Sequence, residues 1–170
     1  MNKKVCAVDR NSLKLIAIIA MTIDHIAWAF VPTPTILGQA LHTFGRLTIV
    51  IMSMFIAEGF IYTKNYERYL SRLLVFAFIS QPFYFFFRNR NGLDGLILID
   101  YFDFNVLFSL SLALMALKLF SSKEKTYIKV IGIILLCVLS YYCDWCFFPI
   151  LFSLGFYVTR ENKLKTKAER

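Results

Sequence analysis

Apolar runs long enough to cross a bilayer recur along the whole chain, and the loops between them alternate between strongly basic and nearly uncharged. A helix rises 1.5 Å per residue, so about 20 mainly apolar residues cover roughly 30 Å of hydrocarbon. Six segments read as spans: about 13–31, 36–62, 69–87, 104–120, 127–142 and a short one at 145–159. Of the 170 residues 58% are hydrophobic and only 18% charged, too apolar for a soluble globular domain. The sequence therefore predicts an all-α fold, a polytopic transmembrane helical bundle of about six spans forming one integral membrane domain over 1–170. Residues 1–12 and 160–170 are read as basic tails.

The formal charge of +8 raises the question of nucleic acid, and the placement of the basic residues answers it. Lys3, Lys4, Arg10 and Lys14 precede the first span, and Lys64, Arg68 and Arg72 follow the second. Lys118, Lys123, Lys125 and Lys129 follow the fourth, and Arg160, Lys163, Lys165, Lys167 and Arg170 close the chain. The intervening loops hold only Arg88 and Arg90. Under the positive-inside rule this pattern predicts a multi-pass protein of the cytoplasmic membrane, with both termini in the cytoplasm and the lipid bilayer as its partner rather than nucleic acid. A cleaved signal peptide is not expected, because Asp24 and His25 interrupt the first apolar run and Trp28 is bulky for a cleavage site.

Pro32, Thr33, Pro34 and Thr35 predict a tight outer turn, since proline cannot continue a helix and restrains the residue before it. The first two spans then form an antiparallel hairpin. The loop at 88–103 carries Asn91, Gly92, Asp94, Gly95, Asp100 and Asp103, either capping a cavity or forming a solvated turn with Asp103 at a helix N-terminus. The Lys-rich tail is expected to be disordered or to lie on anionic lipid.

Ionisable side chains inside a span cost roughly 2.5–3.5 kcal/mol each on insertion scales, so they face a bundle interior, pair, and mark a site. Here they are Asp24 and His25 in the first span and His42 and Arg46 in the second. Positions equidistant from the turn lie at similar depth, which places Asp24 within one helical turn of both His42 and Arg46. Adjacent Asp24 and His25 diverge by about 100° around their axis and cannot address one partner. The preferred division pairs Asp24 with Arg46 and leaves His25 for proton transfer. The competing reading gives all four residues a packing role. Glu58, Lys64, Arg68 and Arg72 cluster at the cytoplasmic end of the second span, where guanidinium forks suit phosphate oxygens and also serve as ordinary anchors. Cys143 and Cys146 have the spacing of a redox pair without the βαβ context of a thioredoxin-like site, while Cys6 and Cys137 read as small apolar residues. No metal site, phosphate-binding glycine loop or nucleophile elbow is evident.

Leu13, Lys14, Leu15, Ile16 and Ala17, then Met21, Asp24, His25 and Ile26, with Gly45, Arg46, Ala57, Glu58, Gly59 and Phe60, together resemble the TraX family of membrane proteins. The resemblance continues through Tyr69, Arg72, Leu73, Ile79, Ser80, Gln81 and Pro82, then Asn105, Val106, Leu107, Phe108, Asp144 and Trp145. It implies an acetyltransferase, because the family takes its name from a conjugation protein that acetylates the N-terminus of pilin and is similar to polytopic acyltransferases that use acetyl-CoA. It carries His25 over as the catalytic histidine, with Asp24, Arg46 and Glu58 as matching positions and His42 beside them. Acetyl-CoA would be the donor substrate, with no tightly bound cofactor, held through Lys64, Arg68, Arg72 and Glu58. The acceptor is a protein N-terminus or a glycan, and a homo-oligomer is compatible. Three features depart from the family. Leu47, Thr48, Ile49 and Val50 stand where a Phe-Pro pair is usual, Cys146 replaces a glycine, and the chain ends sooner after its sixth span than typical members. The alternative function is non-enzymatic, a small proton-coupled carrier or a shortened relative that keeps the fold for assembly; a third is a thiol oxidoreductase.

Overall fold

The computed structural model describes residues 9–31, 34–88 and 103–168. Helix α1 runs Arg10–Phe30, α2 Ile36–Gly45, α3 Leu47–Tyr62, α4 Tyr66–Arg88, α5 Val106–Ser121, α6 Thr126–Leu139 and α7 Phe148–Ala168, with a short 3-10 turn at Ser140–Tyr142. The predicted all-α class holds, with no strand among the described residues. Three helical stretches are long and apolar enough to cross a membrane, Arg10–Phe30, Ile36–Tyr62 and Tyr66–Arg88, and two shorter apolar helices follow at Val106–Ser121 and Thr126–Tyr142.

The chain divides into two compact units, Met1–Met52 and Ser53–Arg170. In the first, α1 packs on α2 through small residues. Ala17, Ala20 and Ala27 are buried, and Asp24 completes their stripe at helical spacing. On α2 the buried residues are Gly38 and Gly45, and His42 lies between them on the same face. Lipid offers no hydrophobic drive for two apolar helices to associate, so close approach over small residues is what van der Waals attraction requires. Thr35 starts α2 by accepting the Gly38 N–H at 3.0 Å; Pro32 and Thr33 of the expected turn lie outside the described residues.

The second span holds as one apolar stretch over Ile36–Tyr62 that continues through Leu47–Val50 as expected, with Arg46 alone falling between α2 and α3. Glycine is a weak helix former, and the β-branched run Thr48–Ile49–Val50 favours a fresh start over propagation through it.

In the second unit α5 is central, burying Ser109, Leu110, Ser111, Ala113, Leu114, Ala116 and Leu117 between α4, α6 and α7. Ala113, Ala116 and Ile150 form its core with Leu136, Cys137 and Leu154 packed around them. The buried Ser153 hydroxyl donates to the Ser53 carbonyl at 3.2 Å and ties α7 to α3. No residue of α6 is buried, and Ile131, Ile134, Leu135 and Val138 lie on its exposed side, the composition of a lipid-facing helix.

Asn105 caps α5, accepting the Leu107 N–H at 3.0 Å, and Asp103 lies just before this helix start, where it pairs with Arg88 at 3.0 Å. The two hydrogens of Asn105 Nδ2 are shared among the Ala77 carbonyl at 2.8 Å, Gln81 Oε1 at 2.9 Å and Ser80 Oγ at 3.1 Å. Gln81 returns a bond from Nε2 to the Asp103 carbonyl at 2.8 Å. Asn91, Gly92, Asp94, Gly95 and Asp100 lie outside the described residues. The basic tail is helical through Ala168 rather than disordered, because α7 continues past its apolar part without a breaker.

Candidate functional site

Among the described residues, the expected site residues fall into two clusters, one in each unit. In the first, Asp24 Oδ1 and His42 Nδ1 lie 2.9 Å apart, with 19% and 12% of their side chains exposed. Trp28, one turn beyond Asp24 on α1, packs its ring on the His42 imidazole at 4.8 Å between centroids. His42 Nε2 is buried and has no partner among the described residues. A carboxylate can only accept, so Nδ1 carries the proton, and a neutral ring then presents an unshared pair at Nε2.

The expected Asp24–Arg46 pair does not form. Gly45 packs so closely on Asp24 that an added Cβ would collide with the Asp24 Cβ, Cγ and Oδ1. Asp24 thus points between the directions of Gly45 and His42, and Arg46, turned about 100° from Gly45, passes it by. Arg46 is exposed, its N–H donates to the His42 carbonyl at 3.1 Å, and it makes no ion pair among the described residues.

His25, expected to face into the bundle, instead lies on the exposed side of α1, about 100° round from Asp24, with Nδ1 2.8 Å from the Met21 carbonyl oxygen. A carbonyl cannot donate, so this contact fixes the proton on Nδ1 and places the basic pair of the neutral ring on Nε2.

In the second unit, Glu58 receives Arg160 at 3.2 Å, and the same guanidinium nitrogen lies 3.5 Å from the Tyr62 hydroxyl. The Glu58 carboxylate is therefore committed to a cation 102 positions away. Lys64, Arg68 and Arg72 are exposed. Asn65 Oδ1 accepts the Arg68 N–H at 3.0 Å, starting α4, and Arg72 Nε donates to the Arg68 carbonyl at 3.3 Å. Arg72 lines an open cleft of about 430 Å³ together with Gly59, Tyr62, Thr63, Tyr69, Leu73 and Phe76; Lys64 and Arg68 do not line it. Gly59 admits Tyr69, whose hydroxyl would lie 2.7 Å from a Cβ there. Among the described residues no group of three or more His, Cys, Asp or Glu could hold a metal ion.

Sequence reasoning named Gly45 and Tyr69 only as motif positions and gave Trp28 and Arg160 no part in the site. For Trp28 and Gly45 a signal existed: Trp28 stands four residues from Asp24, and Gly45 lies almost opposite it across the turn.

Stacked apolar helices joined by a partly buried carboxylate–imidazole contact define a polytopic helical membrane protein with an ionisable site in its first hairpin. The sequence profile described as TraX protein matches residues 9–169, and the chain belongs to that family. A relative from Dichelobacter nodosus, described as "Probable fimbrial assembly protein FimC, serogroup H1", is 40% identical over 143 residues. The match covers 84% of this chain and 59% of the relative, so the chain spans well under two thirds of that protein's length. No solved structure matches the chain.

Proposed function

We propose that this protein is an acetyltransferase of the cytoplasmic membrane, moving an acetyl group from acetyl-CoA to an amine or hydroxyl of an envelope molecule. Family membership supports the reading. The observation that carries it is the placement of His25, with its proton held on Nδ1 by Met21, one residue beyond the Asp24–His42 contact.

His25 is the general base. Its Nε2 takes the acceptor's proton as the acceptor nitrogen or oxygen bonds to the thioester carbonyl carbon. Arg46 stabilises the resulting oxyanion, the C–S bond breaks, and the coenzyme leaves as thiolate. Asp24 and His42 are positioning residues, since their contact fixes the rotation of α1 and with it the direction of His25. Arg72 at the cleft, with Lys64 and Arg68 on the adjoining turn, binds donor phosphates through charge-assisted hydrogen bonds. The relative's description supports a fimbrial subunit as acceptor, and the alternation of basic loops supports cytoplasmic termini.

The test is transfer of labelled acetyl from acetyl-CoA to a peptide amine by the purified protein. General-base catalysis contributes about 10²–10⁴-fold, so His25→Ala should lower turnover by that range at equal folded yield. A wild-type rate in this variant removes His25 from the mechanism. Absence of transfer by the native protein, with solute flux driven by a pH gradient in liposomes, replaces the enzyme with a carrier.

A further inference from the structure

Between the 3-10 turn and α7 the chain folds back through two overlapping reverse turns. The Cys146 N–H donates to the Cys143 carbonyl at 3.0 Å and the Phe148 N–H to the Trp145 carbonyl at 3.2 Å. Trp145 at φ 67° and Cys146 at φ 45° both occupy the left-handed region, which residues with a side chain seldom adopt. The segment is docked on the start of α5. The Phe104 N–H donates to the Tyr142 carbonyl at 3.0 Å and the Asp144 N–H to the Phe104 carbonyl at 2.7 Å, flanking a bridge between Phe104 and Cys143.

A reverse turn holds its first and last Cα within about 7 Å, and a disulfide needs about 4.4–6.8 Å. Cys143 and Cys146 are the first and last residues of such a turn, and both are free cysteines. Cys143 is only 6% exposed, whereas Cys146 is half-buried and reachable.

We propose that Cys143 and Cys146 are a disulfide modification site, whose closure locks the turn onto Phe104. The oxidant is a disulfide, from glutathione or from a protein dithiol oxidase. The Cys146 thiolate attacks it, forming a mixed disulfide and releasing one thiolate; the Cys143 thiolate then attacks the Cys146 sulfur and expels the second. Two protein thiols are oxidised, one external disulfide is reduced to two thiols, and two protons are transferred.

The bond is a staple rather than a cycling redox pair. Burial, then Cys146, Asp103 and Asp144, push the Cys143 thiol up to about 11. Catalytic dithiols instead have a lowered thiol, and a high-pKa thiol is a poor leaving group, so the closed bond resists reduction. Exposure of this turn to an oxidising compartment rests on the proposed topology; the pairing does not.

The experiment equilibrates the purified full-length protein with oxidised and reduced glutathione, alkylates it under denaturing conditions and maps the thiols by mass spectrometry. The peptide with Cys143 and Cys146 should be unlabelled and lighter by about 2 Da, the two lost hydrogens, while Cys137 takes the label. In Cys143→Ser the step stops at a glutathione adduct on Cys146. Amide exchange at Asp144 should slow about tenfold or more on oxidation, because its bond to Phe104 is locked. Two labels on the wild-type peptide, or equal exchange in both states, overturn the proposal. Pairing in vitro with free thiols in isolated membranes overturns the outward placement alone and so separates the two.

Discussion

Asp24 occupies a position that three alanines would otherwise make uniformly apolar, and its carboxylate rests on the contact with His42. The pair is only partly buried, so removing one partner costs less than the ~3–5 kcal/mol of a fully buried pair. His42→Ala is therefore expected to lower the thermal midpoint in detergent. Asp24→Asn, which keeps an oxygen to accept the Nδ1 proton, is expected to cost much less. Gly45→Ala should destabilise by about 1–3 kcal/mol through overpacking against Asp24, measured in the same melts. At Cys143 the sign follows from the thiol being raised from its ordinary 9.0 to about 11. The folded state holds this proton more tightly, so the stabilisation is complete below pH 9 and lost as pH rises through 11. Melts across that window should fall more steeply for the native protein than for Cys143→Ser. Of this residue-scale detail the sequence revealed depth but not rotation. Asp24, His42 and Arg46 were legible as neighbours, and the choice of His42 over Arg46 depended on Gly45 letting α2 close in until Asp24 faced His42.

Element boundaries follow from local chemistry, and the joint between α4 and α5 shows how. Pro82 removes a backbone donor from the interior of α4, and nearby Asn105 spends its amide on Ala77, Ser80 and Gln81. Asn105 is 4% exposed, so these bonds have no water to replace them. Asn105→Ala should cost about 1–3 kcal/mol, since the Leu107 N–H loses its cap while Gln81 Oε1 keeps the Asn105 backbone N–H, and Asn105→Asp should recover only the cap. Thermal unfolding in micelles compares the two. The first three of the six expected spans were legible, because run length decides whether a helix can cross a membrane, and these three helical stretches have that length. The break at Arg46 was not, since Phe44, Leu47 and Ile49 read as one apolar helix and only Gly45 weakens it. Nor was the helical tail legible, because a Lys-rich segment reads as a solvated chain until α7 feeds a helix into it.

At the scale of the molecule, charge is segregated: the hairpin of the first unit holds a paired carboxylate, while the α3–α4 turn of the second presents Lys64, Arg68 and Arg72. Glu58 on α3 is occupied by Arg160, and Lys64, Arg68 and Arg72 outnumber Glu67 in the first turn of α4, so this region stays net basic. A cationic turn beside a cleft of about 430 Å³ suits a ligand with phosphate at one end and an uncharged arm at the other, since Leu73, Phe76 and Gly59 complete the lining. If the transferase reading holds, losses in the two units must separate kinetically. Arg72→Glu removes charge-assisted bonds worth about 1.5–3 kcal/mol, equivalent to roughly 10–150-fold in affinity. It should therefore raise KM for acetyl-CoA by at least about tenfold with kcat within about threefold, and the effect should shrink at high salt. His25→Ala should show the opposite split, a fall in kcat at nearly constant KM. Equal losses in both parameters for both variants would mean that neither residue acts in its assigned step.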